Sequence, residues 1–451
     1  MHRCSEFEFG NYFEVGNRDQ LQPYLNQVWQ RYREVNIEEE QNEEEGNVKE
    51  YQGFLSFDGN RARPKNFIGF VQTEDCLIEI YPKVFMGIEK TIANKNLFIK
   101  HIFYWFEYCR KWKFPFTNVD VELSEKVDFP ELIINLMASK ILEVLTDAPI
   151  SLYQEVEESL IMPRGRINFN RYISRGLTNG NQHILECDYE PLMFDNSLNR
   201  AIKYVSRILQ AKAKFSETQN KLYEIILILD EVEDVVCSTK ELNTIKLNSF
   251  FSSYESVIDI CHMVLEQQLY NHQHYEQTQW CLLFPMEYVF EDFVAGFLET
   301  HFSKDWDIKY QRSEKYLVDE PAKSFQMRHD IFLEAKPPGT RKIIIDTKYK
   351  IRYPESRIDA KKGIAQSDMY QMTSYALRRG CNEVLLLYPN YAEALQPIDT
   401  FIVESGFDTK HKINITAAEI PFWSMDSFKQ LSESLKFSLE QLLAKPSPKD
   451  S

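Results

Sequence analysis

Three consecutive isoleucines, Ile343, Ile344 and Ile345, run directly into Asp346-Thr347-Lys348. A short block of branched apolar residues predicts a buried strand. Side chains alternate faces along a strand, so Asp346 and Lys348 project to the same side, about 6–7 Å apart. A buried sheet does not normally carry both charges on one face without a reason, because burying charge is costly. The pairing suits a metal ligand beside a cation that handles a water or a phosphate.

The flanking sequence sharpens this reading. Upstream, Gln326 to Glu334 is a second apolar strand carrying one acid in its middle, Asp330. Two neighbouring strands bring Asp330 and Asp346 within reach of one metal ion. Before them, Met286, Val289, Phe290, Phe293, Val294 and Phe297 recur with helical period. Glu287 and Glu291 lie one turn apart on that helix. Downstream, Asp368 to Ala376 has helical composition, with Gln371 and Tyr375 at i and i+4 on one face. Asp368 reads as an N-cap or a solvated acid. A last apolar strand covers Glu383 to Tyr388.

This order of elements resembles the core of the PD-(D/E)XK nuclease superfamily. Within it, Asp346-Thr347-Lys348-Tyr349-Lys350 and Asp368-Met369-Tyr370-Gln371-Met372-Thr373-Ser374-Tyr375-Ala376 resemble the McrC family, the nuclease subunit of modification-dependent restriction systems. The residue before the first acid is usually Pro in that motif and is His329 here, which leaves the carboxylates intact. The resemblance implies a mixed sheet flanked by helices and a Mg²⁺-dependent endonuclease. Asp330 and Asp346 are then the metal ligands, with the Thr347 carbonyl as a further oxygen. Mg²⁺ keeps several waters, so so few protein ligands suffice. Lys348 orients or deprotonates the attacking water, or balances transition-state charge. Glu291, with Glu287 as its equal competitor, is the helix acid. Gln371 and Tyr375 position Lys348, the water or the DNA backbone; plain packing competes for Tyr375.

Bulk properties limit the rest. A chain of 451 residues, 43% of them apolar, predicts two or three domains with real cores. No stretch is long and apolar enough to span a membrane, and Met1 to Glu6 is no signal segment, so a cytoplasmic location is expected. Eight scattered cysteines show no zinc spacing and read as reduced thiols. The net charge of −16 disfavours unaided DNA binding, because phosphate neutralisation supplies most non-specific affinity. Something else is expected to deliver double-stranded modified DNA. The chain has no Gly-x-x-x-x-Gly-Lys-Ser/Thr loop, so any GTP dependence belongs to a partner. The resemblance names that partner as an McrB-like hexameric AAA+ GTPase.

The expected fold class is multidomain α+β: a β-rich partner-docking domain over 1–125, a helical linker or middle domain over 126–275, and a C-terminal α/β PD-(D/E)XK restriction-endonuclease-like core over 276–451. The β-rich part includes a hairpin of Phe67–Gln72 and Leu77–Pro82, and the middle has helices over Asn199–Ala211, Asn220–Glu233 and Tyr254–Gln267. Glu38 to Gly46 is a charge run read as a solvated loop, and Lys445 to Ser451 as a disordered tail. Arg164 and Arg166 flank a glycine turn, and Arg200 follows a cap at Asp195 or Asn196. By resemblance these arginines are candidates for contact with the partner; the competing reading is pairing with acids inside their own domain. Two other functions stay open: a catalytically silent adaptor that tunes an AAA+ partner, and an autonomous nuclease, which the acidic balance disfavours.

Overall fold

The structure is a computed structural model and describes residues 2–5, 12–40, 52–73, 76–89, 91–110, 128–245, 247–268, 279–320, 322–352, 360–391, 395–405 and 408–444. The chain divides into two compact units, Met1–Lys126 with Gln279–Ser451, and Val127–Thr278. It is a mixed helix and strand fold with several sheets.

The first unit opens with β1 (His2–Ser5), β2 (Phe13–Glu14), α1 (Arg18–Glu40), β3 (Leu55–Asp58), β4 (Arg61–Pro64), β5 (Phe67–Gln72), β6 (Leu77–Tyr81) and α2 (Ile92–Tyr108). The β5–β6 hairpin forms as the alternation predicts, although residues 74 and 75 of its turn lie outside the described residues. Of the acidic run, Glu38 to Glu40 end α1, and 41–46 lie outside the described residues, as does the tail 445–451.

The second unit holds α3 (Phe129–Asp147), β7 (Leu152–Tyr153), β8 (Val156–Leu160), β9 (Arg166–Ile167), β10 (Leu185–Tyr189), β11 (Leu192–Met193), α4 (Ser197–Lys212), α5 (Ser216–Ile228) and α6 (Tyr254–Gln268). Besides helices it contains two small sheets, ordered β8-β10-β9 and β11-β7. Its helices start where the chain supplies caps. The Asp128 carboxylate accepts from the Glu131 N–H at 3.0 Å, with Pro130 in the first turn. Asn196 does the same for Asn199 at 3.0 Å, so Asn196 rather than Asp195 is the cap.

The first unit resumes with β12 (Trp280–Pro285), α7 (Met286–Phe302), β13 (Trp306–Val318), β14 (Ser324–Ala335), β15 (Lys342–Thr347), α8 (Gln366–Arg379), β16 (Glu383–Pro389), β17 (Asp399–Ser405), β18 (Asp408–Ile420) and α9 (Phe428–Ala444). Strand β12 pairs antiparallel with β5, from Trp280 opposite Gln72 to Pro285 opposite Phe67. It completes a four-stranded sheet, β1-β6-β5-β12. The N-terminal hairpin and the C-terminal half therefore share one sheet. Gly69 is required there: its φ is +125°, and a Cβ would lie 2.0 Å from the Leu282 carbonyl oxygen.

The larger sheet has six strands ordered β13-β14-β15-β16-β18-β17. Strands β14 and β15 are antiparallel, while β15, β16 and β18 are parallel. The parallel step from β15 to β16 requires a crossover, which α8 supplies. Ile343, Ile344 and Ile345 are fully buried, as a central strand covered on both faces should be. Phe332, Ile344, Val384, Leu386, Ile413 and Ile415 form one apolar cluster with Met372 and Ala376 of α8. An aromatic group ties this unit together from distant parts of the chain. Trp105 of α2 stacks on Phe422 with ring centres 4.0 Å apart, and its indole N–H donates to the Phe422 carbonyl at 2.8 Å. Phe290 of α7 packs on Phe422 at 4.9 Å and on Tyr349 at 6.0 Å. Cys76, Cys109, Cys187, Cys237, Cys261, Cys281 and Cys381 are free thiols, and among the described residues no helix is long and apolar enough to cross a membrane.

Two predictions follow from this packing. A Cβ at Gly296 of α7 would lie 1.9 Å from the Tyr108 carbonyl oxygen at the end of α2. Gly296→Ala is expected to cost about 1–3 kcal/mol by overpacking, read as a lower urea midpoint. His101 is fully buried, with Nδ1 2.8 Å from the Leu97 carbonyl oxygen and Nε2 accepting from the Ser424 N–H at 3.3 Å. Burial lowers its pKa from 6.5 to about 4. The unfolded chain then takes up this proton near pH 6.5 and the folded one only near pH 4. Stability is full above 6.5 and falls as pH drops through that window, by about 3 kcal/mol in all. Urea unfolding between pH 7.5 and 4.5 should show this loss in the wild type and a shallower one in His101→Gln.

Candidate active site

The site forms where β14 and β15 part. Their ladder runs from Glu334 opposite Lys342 to Ile331 opposite Ile345. The next position on each strand is an acid, Asp330 and Asp346, on the same face as the Phe332–Ile344 pair. Beyond it a side chain takes over from the backbone ladder. The Asp330 carboxylate accepts from the Thr347 N–H at 2.7 Å and from its hydroxyl at 2.8 Å, both on Oδ2. On its other side β15 stays paired: Asp346 and Thr347 lie opposite Leu386 and Leu387, and the Lys348 N–H donates to the Leu387 carbonyl at 2.8 Å.

Asp346 is buried, and the Lys348 Nζ lies 3.1 Å from its Oδ1 and 2.9 Å from its Oδ2. Burial raises the Asp330 pKa, opposed by the Thr347 donors and Lys348. Burial, then the charge of Asp330, pushes the Asp346 carboxyl up to about 7 against the pull of Lys348. For Lys348, burial works against the charged form, but Asp346, Asp330 and Asp368 together hold its pKa above the ordinary lysine value. Like charges forced together in a dry place raise each other's proton affinity, a pattern concentrated at functional sites.

Asp368 is a third acid in this field. It is not the cap of α8, which is Ala365, nor is it solvated. It is buried in the first turn and reaches Lys350 at 3.5 Å. The signal was present in the spacing: Asp368, Met372 and Ala376 fall at i, i+4 and i+8 on the buried stripe of α8. Gln371 and Tyr375 meet each other, the Gln371 Nε2 donating to the Tyr375 hydroxyl at 3.2 Å. Gln371 is exposed and Tyr375 is half-buried against the sheet. Among the described residues no hydrogen bond joins either to Asp346 or Lys348. On α7, Glu287 is exposed and Glu291 half-buried, next to the Phe290 that packs on Tyr349.

Arg352 had no sequence signal. It is fully buried, donates to the Pro397 carbonyl at 2.9 Å and pairs with Asp399, anchoring the chain as it leaves the site. In the second unit, Arg164 and Arg166 are exposed, Arg164 lying 4.5 Å from the Tyr189 ring centre. Arg200 instead forks onto Asp195 at 2.7 and 2.9 Å and reaches Glu233 at 3.1 Å, holding the Asp195 carboxyl below its ordinary pKa.

Among the described residues no three Asp, Glu, His or Cys side chains gather as a ready ligand set. What the site offers is two adjacent carboxylates and the Thr347 backbone. The buried Asp346 Oδ2 has a charge contact with Lys348 but no aligned hydrogen bond. That donor set fits a hard cation that takes oxygen ligands and retains water, and does not fit zinc.

A family model described as McrBC 5-methylcytosine restriction system component matches residues 62–389. Among solved structures, the chain is similar to one in the refined half-complex from a tetradecameric assembly of Thermococcus gammatolerans McrB AAA+ hexamers with bound McrC. That match has a TM-score of 0.64 at 14% identity and covers 98% of this chain and 99% of that one. A chain of the cryo-EM structure of the Thermococcus gammatolerans McrBC complex matches with a TM-score of 0.46 at 15% identity, covering 66% of this chain and 86% of that one. At such identity the first likeness is one of fold. Comparison with curated proteins returns no match. Because the family match spans well over half of its length, the chain belongs to the McrBC 5-methylcytosine restriction system component family.

Proposed function

We propose that the chain is the Mg²⁺-dependent DNA endonuclease subunit of a McrBC-like type IV restriction complex, and that residues 276–451 are a PD-(D/E)XK restriction-endonuclease-like core. The observation that carries this is the Asp330–Asp346–Lys348 constellation at the parting of β14 and β15, with Asp346 buried and the other two half-buried. Asp330 and Asp346 would hold the metal, with the Thr347 carbonyl. When bound, Mg²⁺ polarises the scissile phosphate and lowers the pKa of a water. Lys348 orients that water or offsets charge on the phosphate, and its raised pKa favours the second role. Thr347 holds the Asp330 carboxylate in one orientation through two donors. Asp346 first, then Asp330 and Asp368, keep Lys348 charged against its burial. Glu291 is the helix acid, and the exposed Gln371, braced by Tyr375, faces the DNA backbone.

The chain would act in the cytoplasm with an McrB-like hexameric AAA+ GTPase, which recognises modified double-stranded DNA and whose hydrolysis it stimulates. The family match and the acidic charge of −16 both favour delivery of DNA by a partner. The solved chain of like fold comes from an assembly of McrB hexamers with bound McrC. The β-rich part over 1–125 and the middle over 126–275 would serve docking. Arg164 and Arg166 remain candidates for contact because they are exposed, while Arg200 is held by acids of its own unit.

Plasmid cleavage with Mg²⁺, the co-expressed AAA+ partner and GTP tests the reading. Methylated plasmid should be cut and unmethylated plasmid spared. Asp346→Ala should lower the rate roughly a thousandfold, the scale of deleting one electrostatic element of an active site. If the variant cuts as well as wild type, the site assignment is wrong. If neither cuts yet both accelerate the partner's GTP hydrolysis, the silent-adaptor reading replaces this one. Mg²⁺ binding should also depend on pH. A proton competes for Asp346 below about pH 7. Calorimetric affinity for Mg²⁺ should therefore be about tenfold weaker at pH 6 than at pH 8, and Asp346→Ala should lose the binding itself.

A further inference from the structure

Lys83 follows β6 and opens a single 3-10 turn, Lys83–Phe85. Only 8% of it is exposed, which is rare for a lysine unless its charge is paired. Its Nζ donates to the carbonyl of Tyr349 at 2.7 Å and lies 4.2 Å from the centre of the Tyr349 ring. A charge-assisted hydrogen bond and a cation–π contact thus fall on one residue, 266 positions away in sequence. That residue is the immediate neighbour of Lys348.

The chain is released from the sheet at this point. Strand β15 ends at Thr347, the Lys348 N–H still bonds Leu387, and the Lys350 N–H already turns back to the Lys348 carbonyl at 2.8 Å. The Tyr349 peptide is therefore held by tertiary contacts rather than by the strand ladder. Lys83 grips its carbonyl, and Phe290 and Phe422 pack on its ring. The gripping side is itself rigid. Phe85 stacks on Phe98 at 4.3 Å and meets Trp423 at 5.6 Å. On β6 the buried Glu79 pairs with Lys95 at 3.0 Å and accepts from the Tyr81 hydroxyl at 3.0 Å.

We propose that Lys83 is a positioning residue: it acts through the backbone of Tyr349 to hold Lys348 in place against Asp346. The proposal rests on the nuclease reading above. It makes the N-terminal part of this unit a piece of the catalytic scaffold, because the turn that follows β6 carries the ammonium that fixes the end of β15. A lysine placed only to fill the core would contribute its stem, and its ammonium would be dispensable.

Lys83→Met keeps an unbranched apolar stem and deletes the charge. In the full complex with partner, GTP, Mg²⁺ and methylated plasmid, kcat should fall about ten- to a hundredfold with KM for DNA nearly unchanged, as expected of a misplaced catalytic group. The Mg²⁺ affinity of the isolated chain should stay at the wild-type value. Hydrogen exchange should accelerate at the amides of Lys348 and Lys350 and not along Ile343–Ile345. Lys83→Arg, which retains a donor and a cation over the ring, should recover most of the rate. Wild-type cleavage by Lys83→Met overturns the proposal, as does unchanged exchange at 348–350 or failure of Lys83→Arg to recover any rate. If Lys83→Met loses its cooperative unfolding transition, Lys83→Gln carries the same comparison. Failure of the wild type to cut sinks the nuclease reading itself; equal rates for wild type and Lys83→Met sink only the role of Lys83.

Discussion

The stack of Trp105 on Phe422 joins positions 317 apart in the chain, and the first unit depends on it. The rings lie 4.0 Å apart and 6° from parallel, and the indole N–H is satisfied by the Phe422 carbonyl. Phe85, Phe290, Tyr349 and Trp423 surround this pair. Each buried aromatic contributes about 1.5–3 kcal/mol from burial, with about 0.5–1.5 more per well-oriented pair. The group offsets the entropy of closing a loop that contains the whole second unit, a cost that grows only slowly with loop length. It also sets geometry. Helix α7, the N-terminal turn at Lys83–Phe85 and the end of β15 all meet on these rings.

Against that rigid aromatic side stands a polar side that works against stability. Asp330 and Asp346 occupy neighbouring positions on adjacent strands of the sheet, and each raises the energetic cost of ionising the other. Local devices hold them: two donors from Thr347 for Asp330, and the ammonium of Lys348 for Asp346. Two apolar residues at these positions would pack without conflict. A chain that keeps the acids retains a place where a cation gains more than it would at the surface, which is the physical content of the proposed metal site.

The middle of the chain shows how similar residues diverge in role once folded. Arg164 and Arg166 stay exposed beside a glycine whose φ is +66°. Arg200 looks equally available in the sequence, yet it closes a two-pronged bridge to Asp195 that fastens the start of α4 to the segment around Glu233. Net charge and motif alone did not separate them, because the partner acid at 233 is remote in sequence.

The sequence by itself determined whatever depends on local periodicity and alternation. Ile343 to Ile345 had to be a covered strand, Asp346 and Lys348 had to share a face, Asn196 could cap a helix, and Phe67–Gln72 with Leu77–Tyr81 had to fold back as a hairpin. These follow from backbone geometry over short stretches of chain. Asp368, read as an N-cap or a solvated acid, proved instead to lie on the buried stripe of α8. Only the tertiary structure decided what lies across long separations: that β12 joins the hairpin's sheet, that Arg352 is buried whole against Asp399, and that Lys83 reaches Tyr349. Pairings of this kind depend on which faces meet after collapse, and no local spacing encodes them. The acids at the centre of the site and the lysine beside them could be read from their strands; Lys83 and Arg352, which tie the chain beyond β15 to remote parts of the sequence, could not.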